Sequence, residues 1–184
     1  MVKVVPSASG FAVRDLRWAL EALCGAERVR EALDALPSEV REPFLAAPAE
    51  PWVPLRVTTA VVDEVAARVG ENPEALVDRA IARATERSLG TVLRVLLRFT
   101  SNRALLERIP SIYRRTRNVG EVRILRIEEG SGEIEIVGWP DMPARHARLV
   151  AVNTETLLRC IGREDPRVHY KRTPDGARYQ ILWR

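Results

Sequence analysis

The sequence predicts an α+β fold in which an N-terminal multi-helix region packs on a C-terminal four-stranded antiparallel sheet of β-β-α-β-β order. Three observations carry the prediction. Apolar residues recur at helical spacing through residues 1–117. From Glu121 the apolar period falls to two. Two segments, Gly130-Ser131-Gly132 and Thr173-Pro174-Asp175-Gly176, have the chemistry of hairpin turns. A length of 184 residues suits one domain. The expected organisation is a single domain over 1–184, with 1–117 helical and 118–184 forming the sheet-and-helix part.

The elements follow in order. Phe11 to Leu23 places Leu16, Ala19, Leu20 and Leu23 on one face, and Gly25 stops it. A second helix, Ala26 to Leu36, carries Val29, Leu33 and Leu36 and ends at Pro37; a weaker third spans Ser38 to Ala47. Prolines 48, 51 and 54 forbid a helix over Ala47 to Pro54, so an extended connector is expected there, with Trp52 pinned to the core. Pro54 suits the first position of a fourth helix, which repeats Val57, Val61, Val65 and Val69 and ends at Gly70. Asn72-Pro73-Glu74 combines a cap, a leading proline and an acid in the first turn. It opens a helix to about Ser88, with Leu76, Val77, Ala80, Ile81 and Ala84 inward. Thr91 to Phe99, apolar almost all round, is the expected buried central helix. Asn102 starts a short helix that Pro110 ends, and Ser111 caps a turn or two through Tyr113.

In the C-terminal part Val122 and Ile124 share a face that Leu125 and Ile127 do not continue, which predicts a bulge or a strand apolar on both faces. Ile134 and Ile136 alternate with Glu133 and Glu135, and Trp139-Pro140 closes the hairpin. Pro143 to Gly162 is the covering helix. In the last hairpin Val168 and Tyr170 face inward, and Tyr179, Ile181 and Trp183 return on the same side.

Composition narrows the class. Apolar residues at 46% and charged residues at 29% describe an ordinary globular chain. The densest apolar run, Val92 to Phe99, is interrupted by Arg94 and Arg98, so no membrane span is expected. The first residues hold no signal-peptide apolar region. Cys24 and Cys160 make neither a disulfide framework nor a zinc site, and two reduced thiols fit a cytoplasmic location. The net charge of +4 is nearly all arginine, with Lys3 and Lys171 the only lysines. An Arg-, Ala-, Val- and Leu-rich chain is what a GC-rich genome produces, so basicity is no argument for nucleic acid.

These features together resemble an uncharacterised family abundant in myxobacteria, related in architecture to 4-vinyl-reductase-like and haem–nitric-oxide-binding sensor domains. The resemblance rests on Leu36-Pro37, on Trp52-Val53-Pro54, and on Leu93 to Phe99 leading into Ile109 to Arg115. It continues in the strand after Gly120 and is best in Val168-His169-Tyr170 through Asp175-Gly176 to Trp183. It implies a compact α+β domain, often dimeric, that senses or binds something. Relatives often carry a cysteine near the terminal hairpin turn; this chain has none there, so a metal or thiol role does not transfer.

No catalytic constellation is expected. His146 and His169 are the only histidines, and residues 90–116, where a haem-binding relative is expected to supply one, contain none. No haem or other cofactor is therefore anticipated. The acidic neighbours Asp63-Glu64, Glu128-Glu129 and Glu164-Asp165 face different ways and make no dyad. There is no phosphate loop and no metal-ligand spacing. The arginine-rich stretch Arg98, Arg103, Arg108, Arg114, Arg115, Arg117, Arg123 and Arg126 reads first as a solvated face. Within it Arg98, Arg114, Arg115 and Arg117 are the candidates for binding an anion. A ligand pocket would use Val95, Phe99, Tyr113, Tyr170, Tyr179 and Trp183, an aromatic set that equally suits plain core. The expected function is a noncatalytic sensory or regulatory domain, a homodimer, binding a small molecule or a partner protein. The alternatives are a protein-interaction module with a filled core and, third, a small enzyme.

Overall fold

Two compact units organise the chain, Met1–Ala84 with Thr116–Val119, and Thr85–Arg115 with Gly120–Arg184. The computed structural model describes residues 4–90, 104 and 107–184.

The first unit opens with a short strand, β1 (Ser7–Ser9), and a helix, α1 (Gly10–Cys24). The Ser9 hydroxyl accepts from the Ala12 amide at 3.3 Å, satisfying one of the free donors at the helix start. Gly25, at φ 90°, ends α1 and starts α2 (Ala26–Ala35). Then follow α3 (Ser38–Leu45), β2 (Trp52–Pro54), α4 (Leu55–Val69) and α5 (Pro73–Leu89), which crosses into the second unit. The Asn72 side-chain oxygen accepts from the amides of Glu74 and Ala75 at 2.9 and 3.1 Å, as the Asn-Pro-Glu start predicts. Leu20, Val61, Val65 and Leu76, read as inward from helical spacing, are buried, and so is Phe44 of α3.

Two details differ from expectation. The extended connector ends in a strand, and β2 pairs antiparallel with β1, Ser7 opposite Pro54 and Ser9 opposite Trp52. Strand alternation then buries Val53 and turns Trp52 outward, 38% exposed, so Val53 is the residue held in the core. Pro54 caps α4 from one position before its first residue. Asn118 ties the chain start down, accepting from the Ser7 amide at 2.7 Å and donating to the Val5 carbonyl at 3.0 Å.

The second unit carries α6 (Ile109–Thr116, its last residue in the first unit), β3 (Glu121–Glu128), β4 (Ser131–Val137), α7 (Ala144–Cys160), β5 (Arg167–Thr173) and β6 (Gly176–Leu182). The four strands form one antiparallel sheet in the order β3-β4-β6-β5. The register of β3 on β4 slips between Ile124 and Arg126, so of the two readings open at Leu125 the bulge is the one formed. Pro110 does not end a helix: it is the second residue of α6, where a missing amide hydrogen costs nothing. The expected helices over Thr91 to Phe99 and from Asn102 lie outside the described residues. No described helix is long and apolar enough to cross a membrane.

Pairing assigns the faces. Ile134 stands between Tyr179 and Ile124, Ile136 between Ala177 and Val122, and Ile181 beside Val168. This face is buried at Val122, Ile134, Ile136, Ala177, Tyr179 and Ile181. The other carries Glu133, Glu135 and Arg178, linked by ion pairs of 3.9 and 3.2 Å. α7 packs along β5, and the Glu155 carboxylate accepts from the Val168 amide at 2.8 Å, covering part of the sheet edge.

Candidate ligand site

All three tyrosines of the chain lie in the second unit, Tyr113 on α6, Tyr170 on β5 and Tyr179 on β6. Tyr179, in the middle of β6, points to the buried face between Ile134 and Tyr170. Tyr170, on the edge strand β5, places its ring 5.9 Å from that of Tyr179. Tyr113 comes from α6 and is buried. Gly120, at φ +76°, leaves the space this ring needs: a Cβ there would stand 3.2 Å from the Tyr113 hydroxyl and 3.1 Å from Ile136.

The centre of the cluster is chemically unusual. Tyr179 is fully buried, and its hydroxyl has no hydrogen-bond partner among the described residues. Leaving a buried hydroxyl unpaired costs about 1–3 kcal/mol. Burial pushes the Tyr179 phenol far above its ordinary range, and the nearby phenols of Tyr113 and Tyr170 push it further. Tyr179 is therefore a neutral donor at physiological pH. Tyr170 shares its face but lies at the sheet edge and is 39% exposed, so the cluster runs from solvent to the buried sheet centre.

The raised phenol gives a testable pH dependence. The folded-state value lies above the unfolded one, so this contribution to stability is intact below about pH 10 and is lost above it, as the unfolded chain ionises. The unfolding free energy of the native chain should fall above pH 10 more steeply than that of Tyr179→Phe, by up to about 1.4 kcal/mol per pH unit. Urea titrations between about pH 8 and pH 11 measure the difference; equal slopes would remove the claim.

Of the other expected pocket residues, Trp183 is buried just past β6, and Val95 and Phe99 lie outside the described residues. Arg98 of the anion set does too. Arg114 and Arg115 are exposed on α6. Arg117 belongs to the first unit and donates to the Thr116 carbonyl at 2.8 Å. His169 is exposed on β5. His146 is buried in the first turn of α7, with its ring 5.5 Å from that of Trp139. Cys24 and Cys160 are half-buried and unlinked. Among the described residues no group of three His, Cys, Asp or Glu could hold a metal ion. What the sequence left open was which aromatic is unpaired, since pairing depends on neighbours from three separate elements.

The fold is that of the H-NOX domains. A variant of the Fe(II) unliganded H-NOX protein from K. algicida superposes with a TM-score of 0.62 at 8% identity, covering 96% of both chains. An oxygen-binding H-NOX domain related to soluble guanylate cyclases, in its oxygen complex, gives 0.62 at 12% identity, covering 96% of this chain and 95% of that one. The S. oneidensis H-NOX protein in its Fe(II)NO state gives 0.61 at 13% identity, covering 96% and 99%. No curated protein matches the chain. The chain belongs to the family described as proteins of unknown function (DUF2378), whose model matches residues 7–184.

Proposed function

We propose that the protein is a noncatalytic sensory or regulatory domain that binds a small molecule at the tyrosine cluster of its second unit. The observation that carries this reading is the buried, unpaired Tyr179 hydroxyl. A phenylalanine would pack the same face without the desolvation cost, so the hydroxyl has a use that a bare core does not. A ligand acceptor supplies the missing hydrogen bond, and the half-exposed Tyr170 marks the side from which it enters. The H-NOX fold supports a sensory role: the neighbours include oxygen- and nitric-oxide-bound proteins. Action as a cytoplasmic homodimer, and the architectural relation to 4-vinyl-reductase-like domains, belong to the same proposal.

Native mass spectrometry of the protein isolated from cells in which it is native tests the reading. The native chain should carry a small molecule that Tyr179→Phe lacks. The ligand-free variant should be more stable than the ligand-free native chain by about 1–2 kcal/mol, having lost an unsatisfied group. Two bare chains, with no thermal shift across a metabolite panel, would sink the proposal. The interaction-module reading would then lead, because Phe11 and Trp52 are 57% and 38% exposed in the first unit.

A further inference from the structure

We infer that the Tyr179 site takes an uncharged, metal-free, largely apolar molecule with a single carbonyl-type acceptor, in place of the haem studied in structural neighbours. This rests on the ligand-binding reading above and names the class of ligand.

The haem comparison is a question of donors. Structural neighbours include proteins studied for haem distortion and haem redox potential. Haem iron is held by His, Cys, Met or Tyr. Every histidine, cysteine and tyrosine of this chain lies among the described residues, so each can be placed. His169 is exposed, and His146 is closed in against Trp139. Cys24 ends α1 in the first unit, and Cys160 ends α7. Met142 is buried in the turn before α7, where the Arg172 guanidinium donates to its carbonyl at 3.1 Å. His146 packs on Trp139 and Cys160 ends α7, and neither is a strand neighbour of Tyr179. A phenolate at Tyr179 would be buried with no cation beside it on its sheet face, since Arg172 is exposed and bonded to the Met142 carbonyl. Tyr179 and the side chains beside it therefore do not fit a haem ligand.

The surroundings of Tyr179 set the rest of the class. Its neighbours across the strands are Ile134 and Tyr170, and the next positions on that face are Ala177, Ile136 and Ile181. The charged side chain nearest in register on this face, Arg172, is exposed and already bonded to Met142. A carboxylate or phosphate buried there would have no counter-charge, a cost that a carbonyl escapes. An alkane would leave the phenol unpaired. A ketone or ester buried to its carbonyl satisfies both conditions, with Tyr179 Oη donating to the carbonyl oxygen.

The test uses the full chain and four probes: 2-nonanone, nonane, nonanoate and hemin. In calorimetric titrations 2-nonanone should bind at least about tenfold more tightly than nonane or nonanoate, since a site built around a hydrogen bond rejects analogues that cannot complete it. Tyr179→Phe should bring 2-nonanone and nonane to equal affinity. Hemin should show no saturable one-to-one shift of its Soret band. A stoichiometric Soret shift lost in Tyr179→Phe or His146→Ala overturns the class and leaves a ligand site standing, as does nonanoate binding more tightly than the ketone. Binding of none of the four also overturns the class. The wider ligand-binding reading falls only if the native protein is bare by mass spectrometry, so the two failures are distinguishable.

Discussion

Gly176→Ala is expected to destabilise the second unit by about 3–5 kcal/mol, at the exceptional end of single substitutions. Gly176 begins β6 at φ +153°, a conformation that L side chains rarely adopt. A Cβ there would fall onto the carbonyl oxygen of Ile136, whose strand is hydrogen-bonded to β6 at the next pair, Ile136 with Ala177. Backbone in the middle of a sheet cannot step aside without breaking the ladder, so the clash and the strained φ add. Tyr179 lies three residues on in the same strand, so the site should be lost with the hairpin. Urea unfolding followed by near-ultraviolet circular dichroism measures the loss. A change below about 1 kcal/mol would show that the hairpin reseats freely and would count against the register described.

Gly10→Ala is expected to have an effect of similar size in the first unit, and its sign opposes local propensity. Gly10 is the first residue of α1, where alanine is the better helix former by about 1 kcal/mol. An isolated helix would gain from the change. In the folded chain a Cβ on Gly10 would overlap the carbonyl oxygens of Ala47 and Glu50, while the Gly10 amide donates to Pro51 at 3.3 Å. Ala47 is fully buried, so these neighbours are backbone held on both sides. The expected loss is about 2–4 kcal/mol, since both the overpacking and the displaced β2 segment contribute. Hydrogen exchange of peptides spanning β1, α1 and β2 should show reduced protection. A stabilised variant would mean that propensity wins and that the close approach is absent.

Both glycines illustrate the limit of reading this chain from its residues. Gly25 and Gly70 are legible because they follow an apolar period that stops, and the structure ends helices at both. Gly10 has no such context, since its constraint comes from a loop some forty residues away in the chain. Pro110 was misread for a related reason. Proline signals a helix end or a helix start with equal strength, and the preceding segment decides which. Trp52 was expected to pin the connector to the core, yet the pairing of β2 with β1 turned Val53 inward.

Local chemistry by itself determined the helices α1 to α5, the two hairpins around α7 and the inward set of Ile134, Ile136, Tyr179 and Ile181. Periodicity, caps and turn residues act within a few positions, so they are visible in a single sequence. Tertiary structure alone decided the strand order β3-β4-β6-β5 and the pairing of β1 with β2. The sequence placed all three tyrosines in one candidate pocket with Trp183, but hydrogen-bond satisfaction is a property of a whole neighbourhood. That Tyr179 is the one buried hydroxyl of the three left unpaired among the described residues emerges only when α6, β4, β5 and β6 are brought together.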